Sequence, residues 1–62
     1  MKGAKMYIIL RDRKPVCWEK FPDVYAAKVW CLHNGLAYYK TINELGDKII
    51  LLYAGIMIEK IA

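Results

Sequence analysis

His33, Cys17 and Cys31 are the side chains of this sequence best suited to take a proton or act as a nucleophile. Their setting argues against both roles. A catalytic histidine needs a nucleophile to serve and a third group to orient it. The chain has no serine, and its one threonine is Thr41. Cys31 and His33 stand two residues apart, which on a helix puts them on different sides. A Cys17–His33 pairing has no spacing in its favour. Thiol catalysis would require a cysteine far more reactive than the free amino acid, and domains this small rarely support a dry, ordered site. We expect no enzyme. Structural zinc needs four ligands, and one histidine, two cysteines and scattered carboxylates make no recognisable set. A site shared across a dimer axis through Cys31 and His33 is the one arrangement left. No metal or other cofactor is expected. Gly35, Gly46 and Gly55 are isolated and form no phosphate cradle.

Charge and aromatic rings offer a different chemistry. The formal net charge is +4, and all of the excess lies in the first twenty residues. There Lys2, Lys5, Arg11, Arg13, Lys14 and Lys20 outweigh Asp12 and Glu19. Arg11, Arg13 and Lys14, beside rings such as Tyr7, Trp18, Tyr38 and Tyr39, are the ingredients of single-strand nucleic-acid binding, where bases stack over a cationic groove. The same charges also suit a solvated strand edge kept from pairing by lysine and arginine, which is the preferred reading. Tyrosine and tryptophan are typical anchors of protein interfaces. Tyr25, Tyr39 and Trp18 are assigned that role.

The elements that must position these residues can be read in order. Met1–Ala4 is expected to be a frayed start. Lys5–Leu10 is rich in β-formers, and Val16–Phe21 runs back after the polar quartet Arg11–Lys14 and Pro15, giving a hairpin from Met6 to Lys20. Pro22 stops the strand, Asp23 caps a helix over Val24–Asn34, and Gly35 closes it. Leu36–Lys40 is a short strand and Thr41–Asp47 a loop. Lys48–Ile61, KIILLYAGIMIEKI, reads as one long strand or as two joined by a bulge at Gly55. The rival is a helix over Thr41–Ile61, opened by the capping box Thr41-x-x-Glu44 and carrying Ile42, Leu45, Ile49, Leu52 and Ile56 at helical spacing. The β-branched runs and Gly46 and Gly55 favour strands. The fold class is therefore α+β, a small antiparallel sheet with one helix packed on it, in the order ββαββ. The alternative is ββαβα with Thr41–Ile61 helical.

With 62 residues the chain is one small domain, and burial of about 60% of its unfolded surface leaves it marginal. Its 58% apolar content exceeds the ordinary share of about 45–50%. The helix lacks a polar stripe, and so does KIILLYAGIMIEKI. Both need more cover than one copy supplies, so a homodimer is expected, with Trp30, Ile50, Leu52, Ile56 and Ile58 at the self-association surface. The cysteines read as reduced, and no export signal or membrane span is visible, so a cytoplasmic location is expected. The expected function is that of a small non-enzymatic interaction protein that binds and modulates or inhibits another protein. Bacteriophage and mobile-element regulators or anti-defence inhibitors are the size class it suits. The alternative is a small basic nucleic-acid-binding module using the Arg11–Lys14 hairpin.

Overall fold

The computed structural model describes residues 5–61, so the expectation for Met1–Ala4 lies outside the described residues. The order is β1 (Tyr7–Arg11), β2 (Lys14–Pro15), α1 (Val24–His33), β3 (Ala37–Thr41), β4 (Lys48–Leu52) and β5 (Ile56–Lys60). All pairing is antiparallel, in a three-stranded sheet β2-β1-β5 and a two-stranded ribbon β3-β4. The protein is thus α+β with one helix on small antiparallel sheets, and Thr41–Ile61 is not helical.

The first hairpin is shorter than its sequence suggests. Arg11 pairs with Lys14, so Asp12 and Arg13 alone form the turn. Both take positive φ, 52° and 73°, as a primed two-residue turn requires. The return strand is only Lys14–Pro15, extended by one bond from the Val16 N–H to the Ile9 carbonyl. Pairing resumes at Phe21, which exchanges two backbone bonds of 2.9 Å with Tyr7. Cys17–Lys20 therefore bulge outward opposite the single residue Ile8. Val16–Phe21 looks like a strand by composition, but three residues too many stand between its two anchor points.

The helix forms where the sequence punctuates it. Asp23 is extended, and its carboxylate accepts the Ala26 N–H at 2.7 Å. At the other end Asn34 is the cap and Gly35 turns left-handed with φ +75°. The Leu36 N–H then reaches back to the Cys31 carbonyl at 2.8 Å, and the Gly35 N–H to Leu32 at 3.5 Å. This is the Schellman pattern, with its apolar contact supplied by Leu36 and Cys31 in the core.

Asn43 decides the contest between loop and helix over Thr41–Asp47. Its side-chain oxygen accepts the Leu45 and Asp47 N–H groups at 2.9 and 3.2 Å, and its amide donates to the Asp47 carboxylate at 2.8 Å. These bonds satisfy locally the amides that a helix would otherwise use. β4 and β5 do follow one another across Gly55, yet no bulge joins them. Tyr53–Ile56 is a tight turn, closed by the Ile56 N–H on the Tyr53 carbonyl, with Gly55 at φ +88°. It sends β5 into the other sheet, against β1.

The core is Ile9, Phe21, Ala27, Cys31, Leu36, Ala37, Ile50 and Ile56, drawn from both sheets and the helix. Ile9 and Cys31 are wholly enclosed, and burying a side chain such as that of Ile9 contributes about 1.5–3 kcal/mol. Among the described residues no polar or charged side chain is buried.

Candidate functional site

The alternation of the two ladders assigns a face to each side chain. In the ribbon, Ala37, Tyr39, Ile50 and Leu52 share the side that packs on the helix. Tyr38, Lys40, Ile49 and Leu51 point the other way. In β5, Ile56 and Ile58 turn inward with Ile9, and Met57 turns outward. Ile50 and Ile56 belong to the chain's own core, with Trp30, Leu52 and Ile58 packed against it. Both sides of KIILLYAGIMIEKI are apolar, so the sequence carries no mark of which parity faces in.

Two of the three expected partner-binding residues come together. Tyr25, exposed on the first turn of the helix, and Tyr39 from β3 line one groove of about 400 Å³. Lys28 and Lys48 border it, with Ile50 of β4 on the same face of the ribbon as Tyr39. The Lys48 ammonium lies 5.8 Å from the centre of the Tyr39 ring, within cation–π range. The groove therefore presents aromatic anchors between two positive charges. Trp18 stands apart on the Cys17–Lys20 bulge, 94% exposed.

A second groove, of about 620 Å³, lies between the first hairpin and the C-terminal half of the helix. Arg11, Lys14, Trp30 and Asn34 line it, with Asp12 among them. Trp30 is held edge-on by Phe21 at 6.1 Å. Asn34 donates its side-chain amide to the Trp30 carbonyl at 2.8 Å. Arg13, the third basic candidate, sits at the turn and does not line this groove. The part played by Trp30 beside these cations is visible only once the chain is folded.

The two thiols differ in their surroundings, Cys17 half-buried and Cys31 buried. Cys31 is fully enclosed, and burial pushes its thiol above the ordinary value, with Cys17 adding to the effect. A raised thiol is less often thiolate and so less nucleophilic at neutral pH. His33 is exposed on the last helical turn, away from the core position of Cys31. Among the described residues no group of three or more histidine, cysteine or carboxylate side chains is placed to hold a metal ion, and no helix is long and apolar enough to cross a membrane.

No family model matches this chain, and neither does any curated protein or solved structure.

Proposed function

We propose that this protein is a non-enzymatic interaction protein, a homodimer that binds another protein and modulates or inhibits it by occlusion. The observation that carries this reading is the convergence of Tyr25 and Tyr39 with Lys28 and Lys48 on one groove. Rigid rings supply contact area at low conformational cost, and the flanking ammonium groups suit a target segment that sets carboxylates around an apolar anchor. Trp18 supplies a further exposed anchor. A role among the small cytoplasmic regulators of bacteriophages and other mobile elements is part of the same reading. Capture from the native host tests the reading. Wild-type protein is expected to retain a stable protein partner that Tyr25→Ala and Tyr39→Ala lose. Recovery of no partner, or equal recovery by both variants, overturns it.

A second reading, a nucleic-acid-binding module, draws on the groove where Arg11 and Lys14 flank Trp30. A base stacked on an aromatic ring contributes about 1–3 kcal/mol, and phosphate contacts make binding fall with salt. This reading predicts a salt-sensitive shift of single-stranded oligonucleotides that Trp30→Ala weakens. Absence of any shift at low salt removes it.

A further inference from the structure

The Asp12-Arg13 turn holds two cations side by side. Arg11 and Lys14 are directly opposite in the β1-β2 ladder, and residues so placed share one face with Cβ atoms about 4.5–5.5 Å apart. Ile9, two residues before Arg11, packs into the core. By strand alternation Arg11, and Lys14 with it, therefore lies on the side of the sheet that turns to the helix. There both border the groove of about 620 Å³, together with Trp30, Asn34 and Leu36. Like charges directly opposite repel each other. Among the described residues, Asp12 is the one carboxylate that lines this groove. Its carboxylate is turned to Gly55, 2.9 Å from where a Cβ there would be. Gly55 leads into β5, on the opposite side of β1 from Lys14. The groove thus sets a pair of cations against an aromatic ring.

We infer that this groove binds a free nucleoside monophosphate, with the phosphate between Arg11 and Lys14 and the base against Trp30. The inference rests on the groove of the second reading and narrows its ligand to a single nucleotide unit. Charge is the first argument. A phosphate monoester carries nearly two negative charges at neutral pH, so it relieves the repulsion between the two opposed cations. The Arg11 guanidinium can meet it with two parallel hydrogen bonds, and the Lys14 ammonium as a point charge. The ring is the second. Trp30 is half-buried, and Phe21 meets it at an interplanar angle of 60° rather than stacked on it. A base can supply the parallel contact that Phe21 does not. Asn34 is the third. One of its amide hydrogens goes to the Trp30 carbonyl. Its other hydrogen and its oxygen are the donor and acceptor that read an adenine edge. The size agrees as well, since small-molecule sites run to about 300–1,000 Å³.

Calorimetry and NMR titration of the full chain test this, with adenosine 5′-monophosphate, adenosine and inorganic phosphate as probes. The monophosphate is expected to bind at least tenfold more tightly than either fragment and to shift the Trp30 indole N–H signal. Arg11 and Lys14 are exposed, so Arg11→Gln and Lys14→Gln should keep the wild-type circular dichroism. Each should weaken the monophosphate at least tenfold and leave adenosine unchanged. Tyr25→Ala, in the other groove, should bind the monophosphate as wild type does. Inorganic phosphate binding as tightly as the monophosphate overturns the inference, because the ring then contributes nothing. A folded Lys14→Gln or Arg11→Gln protein that binds the monophosphate normally overturns it too. If a single-stranded oligonucleotide binds and the monophosphate does not, the inference falls and the second reading stands. If neither binds, both fall.

Discussion

The Asp12 N–H donates to the Gly55 carbonyl at 3.0 Å, and the Asp12 carboxylate stands 2.9 Å from where a Cβ on Gly55 would be. Two turns distant in sequence, the one that folds β1 back on β2 and the one that redirects β4 into β5, thus lock against each other. Glycine is required there by its positive φ, and a Cβ would in addition have to displace the Asp12 carboxylate.

Gly55→Ala should destabilise the protein by about 1–2 kcal/mol, the usual cost of a left-handed L-residue, plus the cost of displacing Asp12. Adding Asp12→Ala should recover only the second part. Urea unfolding of the two single variants and the double variant measures the coupling. A Gly55→Ala protein as stable as wild type would count against the turn.

Arg13→Gly is expected to act in the opposite direction. Arg13 holds φ +73° without the small or amide side chain that usually occupies this position of a primed turn. Relief of that strain exceeds the extra entropy glycine brings to the unfolded chain. The net gain should be about 0.5–1 kcal/mol, read as a raised denaturation midpoint with an unchanged slope. A lowered midpoint would show that the guanidinium contributes more than the backbone costs.

Stability should fall at alkaline pH through Cys31. The unfolded thiol ionises near pH ~8.5, while burial raises the folded one. The contribution is therefore fully present below the ordinary thiol pKa and is lost as pH rises towards the folded value. Under reducing conditions, wild type should lose more stability between neutral and alkaline pH than Cys31→Ala does. The comparison is between slopes, because the alanine variant starts lower from its cavity. Equal slopes would refute the assignment.

Much of the fold was legible because particular residues leave few choices. Pro22-Asp23 and Gly35 bound the helix, and Gly55 divides the last segment. Three things were not legible. The alternation of Val16–Phe21 conceals the surplus residues that push Trp18 out, since composition does not register spacing against a distant strand. Asn43 reads as an ordinary loop residue, yet its bonds exclude the helix that Thr41 and Glu44 suggest. In KIILL both faces are apolar, so nothing in the chain distinguishes Ile50, 7% exposed, from Ile49, 41% exposed. The self-association set named from sequence chose the inward parity for that reason. The groove residues Tyr25 and Tyr39 could be picked out as rings, but their convergence depends on how the helix crosses the ribbon.

β1 obtains its long partner only from the far end of the chain, with Tyr7 opposite Lys60 and Ile9 opposite Ile58. On the ribosome, the short β1-β2 hairpin can form early, but it leaves one edge of β1 and the inner side of Ile9 open until β5 has been made. Contacts of such wide sequence separation slow folding and leave strand edges open to wrong partners meanwhile. The three-stranded sheet therefore cannot close until β5, the last of the described elements, has been made.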